Sequence, residues 1–341
     1  MRTVRLGKTE ITSPQNAFGA LPVQRVSEEY AVMLLTRAFD AGFTFFDTAR
    51  AYTDSEKKVG MAFSHMRDKV TIATKTAAQT GDALIKDLET SLRTLKTDYI
   101  DIYQLHNPSF CPRPDDGSGL YEALEKAKAE GKILHIGITA HRPDVAREAV
   151  LSGLYETLQF PFCYLATETD TDIVRLCAEQ DVGFIAMKGL SGGLLTNSAA
   201  AYSWMSQFEN VLPIWGIQRE SELAEFIAYM KEPPQMTAEV RSVIERDRAE
   251  LIGNFCRACG YCMPCPVGLE INNCARMSQL IRRSPSAQHL TEEARAKMMK
   301  IEECVNCGSC KSKCPYGLDT PELLRLNLTD YKNILEGKVK I

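Results

Sequence analysis

The 341-residue sequence predicts an α/β fold in which a (β/α)8 TIM barrel is followed by a small α-helical, cysteine-rich domain. Three observations support this prediction. Eight short apolar segments alternate with helical stretches, which is the pattern of a barrel. The later strand ends recur at intervals of about thirty residues, the length of one βα unit. Nine of the twelve cysteines lie between Cys256 and Cys314.

The eight predicted strands are short and mostly apolar, as strands buried on both faces should be. They cover residues 16–21, 44–48, 70–75, 99–105, 134–139, 157–160, 184–187 and 211–214. An open doubly wound sheet is the alternative. That fold needs a glycine-rich dinucleotide fingerprint after an early strand, and the sequence has none.

Amphipathic helices are predicted between these strands because apolar residues recur there at helical spacing. They cover residues 83–95, 120–130, 145–151, 170–180 and 221–230. Residues 1–12 predict a small hairpin that plugs the bottom of the barrel. Two adjacent prolines in the segment 231–236 (KEPPQM) mark a linker, so the predicted domains are 1–232 and 233–341.

The second domain is predicted to be helical. Thr237 fits the N-cap of a helix that runs to about Gly253, and further helices are predicted over 271–283 and 292–302.

Bulk composition excludes several classes of protein. The net charge of −4 argues against nucleic-acid binding. No apolar run approaches the roughly 20 residues that a membrane span requires. Residues 1–15 lack the apolar core of a signal peptide, so we expect a cytoplasmic protein. The oligomeric state stays open.

Polar side chains follow three consecutive predicted strands. Asp47 ends the second strand, with Tyr52 on the following loop, Lys75 ends the third strand, and His106 ends the fourth. Each residue alone fits an ordinary structural role. Because barrel enzymes carry their chemistry at the carboxyl ends of the strands, the four together predict an active site.

These four groups suit carbonyl reduction. Transfer of a hydride leaves negative charge on the substrate oxygen, so a nearby acid must donate a proton. Free tyrosine titrates near 10, and a neighbouring ammonium lowers that pKa. We expect Lys75 to do this for Tyr52, Asp47 to fix Lys75, and His106 to orient the substrate oxygen.

The motifs FDTA…Y…SE…G, ATK and LHNP resemble the aldo/keto reductase superfamily over roughly residues 1–230. The resemblance implies a small carbonyl or alcohol substrate, such as an aldehyde, ketone or sugar. It also implies a catalytic tetrad of Asp47, Tyr52, Lys75 and His106, with Tyr52 as the proton donor.

The resemblance further implies an extended nicotinamide dinucleotide. Thr139 and Gln159 match positions that usually hold the carboxamide. Met187 stands where the family often has an aromatic residue stacked on the nicotinamide.

At the adenosine end, the segment GIQRESEL contains Gln218 and Arg219 where the family often binds the 2′-phosphate. Arg219 suits a phosphate ligand and equally suits an ordinary surface arginine. Glu222 stands where a second cation would help, so the choice between NADP(H) and NAD(H) stays open.

The clustered cysteines form two C-x2-C-x2-C runs, each followed by a further Cys-Pro. The first run is Cys256, Cys259, Cys262 and Cys265, and the second is Cys304, Cys307, Cys310 and Cys314. Triplets at this spacing are typical of loops that bind 4Fe–4S clusters. Zinc is the alternative, since it also takes four cysteines, although usually as separated pairs.

The module resembles an α-helical dicluster ferredoxin, and aldo/keto reductases with such a C-terminal module form a recognised subgroup. In bacterial-type ferredoxins the fourth ligand comes from the opposite run. We therefore predict that Cys314 completes the cluster of Cys256, Cys259 and Cys262, and that Cys265 completes the cluster of Cys304, Cys307 and Cys310. Cys274 is either a substitute ligand or a buried helix residue.

Three functional hypotheses remain at this point. The first is an NAD(P)H-dependent oxidoreductase with two attached clusters. The second is an iron–sulfur electron-transfer protein whose barrel binds a flavin or a redox partner protein, although no flavin motif is visible. The third gives the clusters a structural or sensing role.

Overall fold

The computed structural model describes residues 2–251, 255–283 and 286–340. The chain divides into two compact units. The barrel unit comprises Met1–Gly189 and Ala201–Met236, and the cysteine unit comprises Leu190–Ala200 and Thr237–Ile341. The segment Leu190–Ala200 lies inside the predicted barrel domain yet groups with the cysteine unit, which no local sequence pattern indicates.

The chain begins with an antiparallel hairpin of β1 (Thr3–Arg5) and β2 (Thr12–Pro14). Val4 and Leu6 are fully buried in one apolar cluster with residues of the barrel strands. A Cβ atom on Gly7 would lie 2.3 Å from the carbonyl oxygen of Asp181, so the hairpin packs too closely for a larger residue. The predicted hairpin is therefore confirmed and extends to Pro14.

Eight parallel strands close the barrel, and this confirms the predicted fold class. They are β3 (Ala17–Gly19), β4 (Phe45–Asp47), β5 (Thr71–Thr76), β6 (Ile100–His106), β7 (Ile133–Thr139), β8 (Thr157–Pro161), β9 (Gly183–Met187) and β10 (Val211–Gly216). Neighbours in the chain pair in order from β3 to β10, and β10 pairs again with β3. The strand ends lie within two residues of those predicted.

Helices connect the strands of the barrel. They are α1 (Glu28–Asp40), α2 (Ser55–Phe63), α3 (Gly81–Leu95), α4 (Leu120–Ala129), α5 (Pro143–Ser152), α6 (Glu168–Glu179), α7 (Ser198–Met205) and α8 (Glu220–Lys231). The five predicted helices are confirmed as α3, α4, α5, α6 and α8. The predicted apolar stripe of α3, formed by Leu84, Leu88, Leu92 and Leu95, is buried.

The cysteine unit is helical, as predicted. Its helices are α9 (Ala238–Leu251), α10 (Ile271–Cys274), α11 (Met277–Arg283), α12 (Glu292–Met299), α13 (Ser309–Ser312) and α14 (Thr320–Leu335). Gly253, the predicted end of the first helix, lies outside the described residues. Of the helices described in both units, none has the length and apolar character to cross a membrane.

The two cysteine runs share three positions of positive φ. In each run, the residues on either side of the second cysteine have positive φ, and so does the glycine that follows the Cys-Pro pair. These residues are Ala258, Gly260 and Gly268 in the first run and Asn306, Gly308 and Gly317 in the second. Positive φ tightens the turn at each of these points, so the two runs share the turn around the second cysteine and the turn after the Cys-Pro pair.

Candidate active site and cysteine cavities

A buried ion pair lies at the carboxyl ends of β4 and β5. The ammonium of Lys75 donates to both carboxylate oxygens of Asp47 at 2.7 Å and to the carbonyl oxygen of Thr48 at 2.6 Å. Both side chains are almost completely buried. Burial raises the pKa of Asp47 and lowers that of Lys75, while their mutual attraction counteracts both shifts.

The two other predicted catalytic residues lie beside this pair. The Lys75 ammonium lies 5.3 Å from the centre of the Tyr52 ring. The rings of Tyr52 and His106 are nearly perpendicular, with their centres 5.8 Å apart. The structure thus brings all four residues together at three neighbouring strand ends. His106 Nδ1 is buried and has no hydrogen-bond partner among the described residues.

The protonation of Tyr52 differs from our expectation. Burial and the charge of Asp47 raise the pKa of Tyr52, although the sequence analysis expects Lys75 to lower it. The expectation is wrong because burial of the phenol, together with the nearby Asp47 carboxylate, outweighs the attraction of the Lys75 ammonium. Tyr52 therefore keeps its proton at neutral pH.

His106 is neutral at physiological pH. Burial, and then the charge of Lys75, lower the pKa of His106 to about 3. An uncharged imidazole can still donate one hydrogen bond to a substrate oxygen without adding a charge to the site.

Gln104 belongs to the same polar group, and the sequence analysis missed it. It lies two residues before His106 on β6, so alternation along the strand puts both side chains on one face. Its amide donates to the Gln159 side-chain oxygen at 3.1 Å. Burial has the largest effect on the pKa of Asp47 and raises it, and the Lys75 ammonium lowers it. The side-chain amides of Gln159 and Gln104 lower this pKa further, because they favour the carboxylate form.

The predicted nicotinamide contacts lie at the ends of β7, β8 and β9. The hydroxyl oxygen of buried Thr139 accepts a hydrogen bond from the backbone N–H of Asn107 at 2.8 Å. The Thr139 O–H can therefore still donate a hydrogen bond of its own. Gln159 is buried, and Met187 is half-buried and packs against the apolar cluster inside the barrel.

The predicted adenosine contacts lie at the N-terminus of α8. The Glu222 carboxylate accepts the backbone N–H groups of Gln218 and Arg219 at 2.8 and 3.0 Å. It also accepts from Nε of Arg219 at 2.9 Å, and the Arg219 side chain is exposed. A carboxylate of the chain itself therefore occupies the donors of this helix end.

The cysteine unit contains two adjoining cavities. One is lined by Cys256, Cys259, Cys262 and Cys314. The other is lined by Cys265, Cys304, Cys307 and Cys310, together with Cys262. None of these eight cysteines forms a disulfide.

Cys274 does not line either cavity. It is buried in α10, and its thiol donates to the carbonyl oxygen of Lys297 at 3.7 Å. Burial raises the pKa of Cys274 to about 11, so it stays a thiol at neutral pH. These observations favour the second alternative for Cys274, a buried residue of the helical core.

Comparison with known proteins shows which families the two parts of the chain match. Residues 15–200, more than half of the chain, match the aldo/keto reductase family. The chain belongs to the aldo/keto reductase family. Residues 255–319 match a 4Fe-4S dicluster domain. Both parts of the predicted resemblance are therefore confirmed.

Two relatives are similar to more than half of the chain. The uncharacterized oxidoreductase YqkF of Bacillus subtilis is 30% identical over 210 residues, which cover 58% of this chain and 67% of YqkF. The L-galactose dehydrogenase of Arabidopsis thaliana is 30% identical over 211 residues, covering 56% of this chain and 66% of that protein. The chain thus spans about two thirds of the length of these two relatives.

A solved aldo-keto reductase from Klebsiella pneumoniae, in complex with NADPH, superposes with a TM-score of 0.62 at 24% identity. The match covers 72% of this chain and 94% of that one, and shows a shared barrel fold. Family membership confirms the predicted class, an NAD(P)-dependent oxidoreductase of the aldo/keto reductase type.

The buried ion pair gives a first prediction. Asp47→Asn should reduce the free energy of unfolding by about 3–5 kcal/mol, because it leaves the Lys75 ammonium buried without a counter-charge. Urea unfolding followed by circular dichroism measures the change. Adding Lys75→Met to Asp47→Asn should restore part of the stability.

The matched control is Glu28→Gln, which breaks an exposed ion pair with Lys57. This change should cost less than about 1 kcal/mol. If Asp47→Asn cost no more than Glu28→Gln, the pair would not be the buried ionic contact described above.

Proposed function

We propose that the barrel unit reduces a small carbonyl substrate, or oxidises the corresponding alcohol, with Tyr52 as the general acid or base. The observation that carries this proposal is the buried Asp47–Lys75 pair beside Tyr52 and His106 at neighbouring strand ends. A buried ammonium next to a protonated phenol suits a reaction that places negative charge on oxygen.

Each of the four residues has a separate task in this mechanism. A nicotinamide dinucleotide, when bound, supplies or accepts the hydride. Neutral His106 donates a hydrogen bond that orients the substrate oxygen. Tyr52 donates its proton to that oxygen as reduction proceeds, and takes it back in the reverse direction. The Lys75 ammonium, held by Asp47, stabilises the phenolate that the proton transfer leaves on Tyr52.

The dinucleotide would be held by residues that follow the strands around the rim. We assign Thr139 and Gln159 to the carboxamide, and Met187 to the nicotinamide ring as an apolar surface. Gln218 and Arg219 are assigned to the adenosine end. The free O–H of Thr139 and the position of Met187 at the barrel interior support these assignments.

In the cysteine unit, we assign one 4Fe–4S cluster to each cavity. The cavity linings support the crossed sets, in which Cys314 serves the first run and Cys265 serves the second. Two clusters, when bound, exchange single electrons, and a redox partner protein would supply or remove them.

The substrate class is the least specific part of the proposal. One relative is named an L-galactose dehydrogenase. We therefore propose an aldehyde, ketone or sugar as the substrate and would test all three classes.

Removal of the phenolic hydroxyl tests the catalytic assignment. Tyr52→Phe should lower kcat for carbonyl reduction at least about 100-fold, because no other acid replaces the donor. Dinucleotide affinity, measured by fluorescence quenching, should stay unchanged. Tyr99→Phe is the matched control, since it removes a hydroxyl near the start of β6 and keeps the ring that Arg67 covers. Equal activities of the two variants would contradict the role of Tyr52.

Dinucleotide choice tests the adenosine end. Glu222→Gln should raise kcat/KM for NADPH relative to NADH roughly two- to fivefold, because it removes a carboxylate that repels a 2′-phosphate and frees Arg219. Glu225→Gln, an exposed change on the same helix, should leave the ratio unchanged. An unaltered ratio in Glu222→Gln would show that the phosphate does not approach this helix end.

Metal analysis tests the cluster ligands. Anaerobically purified protein should contain about eight irons and eight sulfides per chain. Cys307→Ala should lose about half of each, because it removes a ligand of one cluster. Cys274→Ala should keep the full content, since this thiol lines neither cavity. Zinc without inorganic sulfide would contradict the proposal, and so would iron loss in Cys274→Ala.

A further inference from the structure

Arg276 is a buried cation in the cysteine unit. It follows α10, and only 4% of its surface is exposed. Its Nη2 donates to the carbonyl oxygen of Gly192 at 2.9 Å, within the segment Leu190–Ala200. Its Nε is buried and finds no hydrogen-bond acceptor in the described part of the chain. No described carboxylate forms an ion pair with it.

A guanidinium in this position requires a negative charge. Burying an unpaired ion costs several kcal/mol, so buried charges in proteins are paired or held by another ionic group. A single carbonyl oxygen does not supply that charge. Burial lowers the pKa of Arg276, and the sulfur of Cys256 is the group whose charge counteracts this shift.

Cys256 connects Arg276 to one of the two cavities. It lines the cavity that also contains Cys259, Cys262 and Cys314. The sulfur of Cys256 lies 4.0 Å from the backbone carbonyl oxygen of Asn272, four residues before Arg276, so this cavity borders the segment that carries Arg276. A 4Fe–4S cluster with four thiolate ligands carries a net negative charge, and that charge increases by one on reduction.

We propose that Arg276 is the counter-charge of the cluster held in the cavity of Cys256, Cys259, Cys262 and Cys314, and that it raises the reduction potential of that cluster. This inference rests on the proposed cluster assignment. A fixed cation stabilises the reduced cluster more than the oxidised one, because the reduced cluster is more negative. Arg276 thereby offsets the cost of reducing a cluster away from water.

The second cavity has a different environment, so the effect should be confined to one cluster. There Cys307 is exposed and Val305 is 64% exposed, whereas each cysteine of the first cavity is buried or half-buried. Water screens charges around the second cavity and leaves Arg276 as a strong influence on the first.

The test is a redox titration of the full-length holoprotein. Dithionite supplies one electron per cluster, and low-temperature electron paramagnetic resonance follows the reduced clusters. In Arg276→Gln, one midpoint potential should become more negative while the other stays in place. Arg276→Lys should keep most of the wild-type potential because it keeps the charge. Arg325→Gln removes an exposed guanidinium of the same unit and should move neither midpoint.

Iron and sulfide content separates the outcomes. If Arg276→Gln keeps about eight irons with both midpoints unchanged, the proposal is overturned. It is also overturned if Arg276→Lys shifts as far as Arg276→Gln, or if both variants lose iron, because the contact with Gly192 would then be what matters. Loss of four irons in Arg276→Gln alone would support the need for the charge. Wild-type protein without sulfide would instead refute the cluster assignment itself.

Discussion

The buried ammonium of Lys75 constrains the whole rim of the barrel. Inside a closed ring of parallel strands, water cannot solvate this charge, so Asp47 and the Thr48 carbonyl must surround it. Those contacts fix the ends of β4 and β5 relative to each other. The Tyr52 ring then lies 5.3 Å from this single positive charge and 5.8 Å from the His106 ring. The geometry that suits proton transfer thus follows from the need to neutralise one buried cation.

The cysteine unit also contains a buried cation, but no carboxylate of the described residues neutralises it. Arg276 is buried as thoroughly as many core residues, yet no described carboxylate pairs with it. The chain there contributes thiols in place of acids, and metal binding converts such thiols into thiolates. The proposed clusters would therefore complete the electrostatic balance of this unit, whereas the barrel site is balanced by its own side chains.

Local sequence patterns predicted the parts of the fold that depend on local chemistry. Apolar, β-branched runs located all eight strands, and the cysteine spacing located both loops. Gln104 was missed although it lies two residues before His106, because its role depends on Gln159 and Asp47 on other strands. The grouping of Leu190–Ala200 with the cysteine unit was missed for the same reason. The raised pKa of Tyr52 also required knowledge of its burial, since the Lys75 charge alone suggested the opposite direction.

A hydride carries two electrons, whereas each cluster accepts one, so one cluster alone cannot take up a hydride equivalent. The two cavities adjoin at Cys262, which lines both. Adjacent clusters would exchange electrons readily and together hold two electrons that a redox partner protein supplies one at a time. Their use as a pair requires that both reductions occur within a narrow range of potential. The first cavity is the less exposed of the two, and burial opposes reduction of its cluster. A fixed cation beside Cys256 acts against that difference, which gives a physical reason for burying Arg276 there at the cost of its desolvation.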